Sequence, residues 1–235
     1  MATLTKKHLT EKKENFSADE LEAKIMAVYE VPFSKKNKKT ESEREMFYKA
    51  FSLSDSMDTA FLPIIPNPHS MTHPRLLRKF VEWVVSGNDD HHLISSLINF
   101  SFTDQEHPKH PHDIWRVPYE SDIPFKNKLL VKFPSFNPSE LLMAPSGTTR
   151  AICRISICIG DLSGNKLFRS TQAAVIFFLD NELSYETEVD FNLRMEKGDV
   201  IFVGMSLDFR NEAGEWTAKS PNQLPSRIVD AIYIE

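Results

Sequence analysis

The clearest pattern in this chain is an alternation. In Tyr185-Glu186-Thr187-Glu188-Val189-Asp190-Phe191-Asn192-Leu193 the odd positions are apolar or β-branched and the even ones charged or polar. Side chains of a strand alternate between faces, so this run predicts a strand with one buried and one wet face. Tyr185, Thr187, Val189, Phe191 and Leu193 are expected inward. Similar runs predict further strands at 129–133, 150–159, 173–180, 200–207 and 228–234. The stretch from Ala173 to Leu179 is apolar on both faces and reads as a central strand. Residues 195–199, with Gly198 at the left-handed position, read as a hairpin turn, and residues 211–214 as a second turn.

Earlier in the chain the apolar period changes from two to about 3.6. Ser17 and Glu20 have capping-box spacing, with Phe16 and Leu21 at the staple positions, and Leu21, Ile25 and Val28 continue as a helical stripe ended by Val31-Pro32. Thr40 and Glu43 repeat the box and open a second helix with Met46, Phe47, Ala50 and Phe51 on its apolar side. That helix is expected to reach Ala60 and to stop before Pro63. After a proline-rich crossing, Pro74 is expected as the first residue of a third helix carrying Leu76, Leu77, Phe80, Trp83 and Val84. Gly87 is its natural stop. Residues 93–100 are apolar enough to be buried, as helix or strand.

The fold class that follows is α+β: a helical N-terminal region followed by a C-terminal antiparallel β-sandwich of immunoglobulin-like or fibronectin-like architecture. The expected boundaries are a helical region at 1–103, a proline-rich connection at 104–128 and the sandwich at 129–235. The glycine distribution supports the division, since none of the 7 glycines precedes Gly87. The 235 residues, 41% hydrophobic and with 17 Phe, suffice for a substantial core. The net charge of −5 argues against a dedicated nucleic-acid binder. No long uncharged apolar run suggests a membrane span, and no signal-like segment opens the chain, so a cytoplasmic protein is expected, with signal-independent export left open. The 2 cysteines, Cys153 and Cys158, fall on opposite faces of one strand. Roughly 16 Å apart at strand rise, they read as buried free thiols rather than a disulfide.

Candidate chemistry is thin. His107, His110, His112 and Asp113 sit in a histidine-rich loop with ligand types suited to zinc or nickel. The interleaved Pro108 and Pro111 splay them, and a solvated loop is the simpler reading. Asp90-His91-His92 is the tripeptide of one metal-dependent phosphoesterase superfamily, but the Asp-x-Asp such enzymes also carry is missing from this sequence. A helix cap formed within residues 88–90 explains it better. The basic run Lys35-Lys36-Asn37-Lys38-Lys39 reads as a solvated loop, and Glu186, Glu188 and Asp190 as the wet face of a strand. The Gly160-to-Lys166 stretch has the wrong spacing for a phosphate loop; Gly160 and Gly164 read as turn residues.

No catalytic, cofactor-binding or metal-ligating residue is assigned, and no cofactor is expected. The function expected is that of a non-enzymatic interaction or structural protein, with the sandwich as a binding or assembly module. Its partner would be a protein or a second copy, not nucleic acid or membrane. Trp115, Tyr119 and Trp216 are the candidate contact aromatics. The alternatives are a metal-dependent hydrolase using His91, His92, His107, His110 and His112, and a carbohydrate-binding module with aromatics gathered on one face.

Overall fold

The computed structural model describes residues 41–66, 72–87, 89–103, 117–181, 183–219 and 224–235. The expected first helix with its Ser17–Glu20 box, the Lys35–Lys39 run, Thr40 and the histidine-rich loop lie outside the described residues.

Helix α1 spans Glu41–Phe61 and passes into a single 3-10 turn, Leu62–Ile64. Pro63 ends the α-helical hydrogen bonding, as a residue without an N–H must. Helix α2 spans Thr72–Val85. Pro74 is therefore the third helical residue rather than the first. The whole first turn lacks intrahelical acceptors for its N–H groups, so proline costs no hydrogen bond there. Leu76, Leu77, Phe80, Trp83 and Val84 are all buried, and Gly87 follows with φ +97°. Within 93–100, residues 93–97 resolve as helix and 98–99 as the turn after it: α3 is Asp90–Leu97, with Leu93, Ile94 and Leu97 buried.

Two antiparallel sheets, seven strands in all among the described residues, make up most of the remainder. The strands are β1 (Glu120–Phe125), β2 (Lys128–Phe133), β3 (Arg150–Asp161), β4 (Arg169–Phe178), β5 (Thr187–Asn192), β6 (Asp199–Arg210) and β7 (Ser226–Tyr233). A one-turn helix, α4, spans Pro138–Leu141 between β2 and β3. The protein is thus α+β with a sheet-rich C-terminal part. One sheet has the order β1-β2-β5, the other β4-β3-β6-β7.

Strand β1 falls within the stretch read as a connection. It forms because residues 126–127 make a two-residue hairpin loop, with Asn127 at φ +67°. Asn127 also holds the end of β5: its carbonyl accepts from Leu193 at 2.8 Å and its Oδ1 from Met195 N–H at 3.0 Å.

Three further expectations are corrected. Residues 195–199 do not close a hairpin, because β5 pairs with β2 while β6 pairs with β3 and β7. Gly198 does take φ +87°, but in a connection that carries the chain from one sheet to the other. Tyr185 is not inward; it precedes β5 and is 80% exposed. The stretch Ala173–Leu179 is not central either. β4 is an edge strand in which Val175 and Phe177 are buried while Ala174, Ile176 and Phe178 are exposed.

The core has two parts separated by the four-stranded sheet. Odd residues of β3 and β6, among them Cys153, Ile155, Ile157, Val203, Met205 and Leu207, pack with Leu129, Val131, Phe133 and Phe191 of the other sheet. Even residues Cys158, Val200 and Phe202 pack with Leu53, Met57, Phe61, Leu76, Phe80 and Trp83 of the helices. The thiols thus sit on opposite faces of β3, both free and buried. Burial pushes the pKa of each well up. These elements belong to one unit, Thr40–Glu235.

Helix and sheet are joined by hydrogen bonds as well as packing. The Ser156 hydroxyl of β3 donates to the Ala60 carbonyl at 2.9 Å, and that of Ser226 on β7 to the Ile64 carbonyl at 2.6 Å. Both carbonyls lie at a helix end, where no intrahelical donor remains. Gly160 is not a turn residue: it lies within β3, where a Cβ would meet Phe168 Cδ1 at 2.6 Å. Gly164, at φ +85°, is the turn residue, and its N–H donates to Asp161 Oδ1 at 2.8 Å.

Candidate functional site

The helices cover only part of the even face of the four-stranded sheet. Beyond Ser156 and Ser206 no helix among the described residues covers that face, and strand register decides what it displays. Arg150 faces Phe178 on one side and Arg210 on the other, and Arg210 faces Trp216 through an isolated bridge. Residues directly opposite in antiparallel strands share a face. Phe178, Arg150, Arg210 and Trp216 therefore form one row across the sheet, roughly 14 Å from end to end. The next row is Ile176, Ile152 and Asp208, followed by Ala174, Arg154 and Ser206.

Asp208 organises the arginines. Its side chain is almost fully buried, and Oδ2 accepts from Arg210 Nε at 3.0 Å and Arg210 Nη2 at 2.7 Å. Arg154 Nη2 lies 3.6 Å from the same oxygen. Arg210 also donates through Nη1 to the Gly214 carbonyl at 3.0 Å, and its guanidinium stands 5.0 Å from the Trp216 ring centre. This fork, held by a carboxylate, a carbonyl and an aromatic face, is rigid. Arg150 approaches from the other side, with Nη2 3.1 Å from where a Cβ of Gly214 would lie. The result is a firm positive frame in which Ile176 (49% exposed), Phe178 (48%) and Trp216 (47%) face solvent.

Of the expected contact aromatics, Trp216 stands in this surface. Tyr119 is half-buried and donates its hydroxyl to the Val229 carbonyl at 2.8 Å. Burial, and then the nearby Asp230 carboxylate, raise its pKa, partly offset by Arg227. Ser121 beside it donates to Asp230. Both hydroxyls in that cleft are committed to the protein's own structure. Trp115 lies outside the described residues.

The acidic and histidine motifs resolve as local structure where they are described. Asp89 caps α3, accepting from His92 N–H at 3.1 Å, and Asp90 Oδ1 accepts from Trp83 Nε1 at 3.2 Å. Both carboxylates are thereby occupied, and His91 and His92 point outward from the helix. Among the described residues no group of three or more His, Cys, Asp or Glu side chains is placed to hold a metal ion. His107, His110, His112 and Asp113 lie outside them. Glu188 and Asp190 pair across the small sheet with Lys132 at 2.8 Å and Lys128 at 3.1 Å. Lys166, in the false phosphate loop, reaches Glu196 and Asp199. Among the described residues no helix is long and apolar enough to cross a membrane.

Sequence reasoning missed Arg150, Arg154, Ile176, Phe178, Asp208 and Arg210. A signal was available: Arg150 and Arg154 share one parity in an otherwise apolar run, as do Asp208 and Arg210. Charges of one parity at the end of buried strands mark the point where cover stops.

No protein-family model matches this chain, and no curated protein matches it.

Proposed function

We propose that the protein is a non-enzymatic interaction or assembly protein whose two sheets act as an immunoglobulin- or fibronectin-like sandwich. The wiring supports the architectural part. Three strands stand against four, and the chain changes sheet after β2, β4 and β5, the crossing pattern of Greek-key sandwiches. From fold to binding is analogy, since such folds host many functions.

The observation that carries the reading is the row Phe178–Arg150–Arg210–Trp216. Exposed aromatics and arginine are enriched in interface cores, and a side chain held rigid before binding loses little entropy on binding. Trp216 and Arg210 are held in this way. The partner is a protein or a second copy of the chain. The test is quantitative affinity capture with wild-type, Phe178→Asp and Trp216→Ala baits. The reading expects a partner whose recovery falls about tenfold or more with either variant. Equal recovery by all three baits overturns it.

One observation favours a second reading. Phe178 and Trp216 are exposed in one row, the arrangement a carbohydrate-binding module needs. Glycan-array binding lost with Trp216→Ala would establish that class instead. The hydrolase alternative, with His91, His92, His107, His110 and His112 as ligands, predicts a stoichiometric transition metal in the purified protein.

A further inference from the structure

Sheet edges invite strand pairing unless something blunts them. On this protein β4 stands apart. The edge at β7 is closed by residues 99–102: Asn99 N–H donates to Ile228 O at 2.8 Å, Ile228 N–H to Phe100 O at 3.0 Å and Phe102 N–H to Ser226 O at 2.9 Å. Strand β1 carries Pro124 and a register break between Asp122 and Phe125. Strand β5 is six residues long and turns Glu188 and Asp190 to solvent, so a copy of it would meet like charge. Strand β4 is ten residues long and keeps an unbroken register against β3. From Ser170 to Leu179 it holds no proline, glycine or charge.

Hydrogen-bond phase shows which groups are open. Leu179 N–H donates to Thr149 O at 2.8 Å, and these residues face one another in the register that pairs Arg150 with Phe178. Odd residues of β4 therefore bond to β3, and Ser170, Gln172, Ala174, Ile176 and Phe178 turn their N–H and C=O groups outward. The same five are exposed. Among the described residues no backbone group of another element bonds to them.

We propose that the occupant of this edge is a second copy of the chain, β4 antiparallel to β4 about a twofold axis at Ala174, so that two four-stranded sheets become one. The strand is built for itself. Ala174 meets the partner's Ala174, Gln172 the partner's Ile176 and Ser170 the partner's Phe178, and every outward N–H finds a carbonyl. Small residues, Ala173 and Ala174, stand at the axis. The uncharged run is bounded by Arg169 at one end and Asp180 at the other. Antiparallel pairing brings each arginine end beside the partner's acidic end, and parallel pairing would set like charges together. An isologous contact of this kind closes as a dimer.

The proposal rests on the interaction-module reading and adds to it a second contact surface, the β4 edge, distinct from the row that ends at Trp216. The test is sedimentation equilibrium of the full chain at micromolar concentrations, wild type against Ala174→Pro, Ala174→Lys and Ala174→Glu. Position 174 is exposed and directs its N–H away from β3, so a proline there removes no bond within the chain. Wild type is expected as a dimer and Ala174→Pro as a folded monomer. The Lys and Glu variants should each associate roughly three- to tenfold more weakly, and an equimolar mixture of the two should regain the lost affinity. A monomeric wild type, or a dimer insensitive to Ala174→Pro, overturns the pairing. Trp216→Ala, remote from the edge, should leave the dimer intact. A monomer that still captures a foreign protein through Trp216 would sink the self-pairing while sparing the broader reading.

Discussion

Gly204 lies directly beneath Phe61. A Cβ built on Gly204 would stand 2.5 Å from Phe61 Cε1 and 2.5 Å from Ile64 Cδ1. No carbon contact is stable at that distance, so glycine here is a condition for seating the end of α1 on β6. Flanking Ser156, opposite Gly204 in the register, takes the Ala60 carbonyl. Gly204→Ala should therefore destabilise the protein by about 1–3 kcal/mol, the usual cost of overpacking a dense core. Urea unfolding checks this; a cost near zero would mean that helix and sheet are not tightly seated.

Adjacent residues of β4 should differ sharply. Phe177 is buried against Phe133 and Phe136, with ring centroids 5.6 and 5.0 Å away. Phe177→Ala should cost about 3–5 kcal/mol. Ile176, one position back, faces solvent, and Ile176→Asp should change monomer stability by no more than about 0.5 kcal/mol. Equal costs in thermal or urea unfolding would contradict the edge assignment of this strand.

The two thiols report on the two halves of the core. Cys153 lies between the sheets and Cys158 beneath the helices. Burial keeps both protonated and out of reach, so a thiol reagent should leave the native protein unlabelled and modify both residues in denaturant. If helices and sheets open as one unit, the two labelling rates agree. Faster labelling of Cys158 would show the helices lifting first.

Asp58 supplies a pH dependence. Burial raises its pKa, His73 opposes the shift, and Asp55 adds to it. The folded carboxyl therefore holds its proton more tightly than the unfolded one. Its favourable contribution is complete below the unfolded carboxylate pKa and is lost as pH rises through the folded value. Asp58→Asn should be more stable than wild type at neutral pH, and the difference should vanish in acid. Tm measured across that range tests the sign; a variant less stable at neutral pH would show that the His73 attraction dominates.

Local periodicity decided a good deal without help. The 3.6-residue stripe of α2 named its buried residues, the alternation of β3 put Cys153 and Cys158 on opposite faces, and Gly87 marked a helix end. Each of these depends on neighbours within a few residues, and so each is legible in a single chain. The α+β class followed from the same local signals.

Partner choice between strands was not legible. The apolar run in β4 suits a strand covered on both faces, yet β4 is an edge with three exposed apolar or aromatic positions, because the helices leave Ala174, Ile176 and Phe178 uncovered. Residues 195–199 have hairpin chemistry, yet β5 and β6 belong to different sheets. The surface row joins Arg150, Phe178, Arg210 and Trp216 from four separate segments through register alone. The order of side chains along a strand fixes the face of each, but register and sheet order depend on the summed burial of residues far apart in the chain. Only the tertiary structure carries that sum, and it alone placed the arginines beside the aromatics and left β4 open.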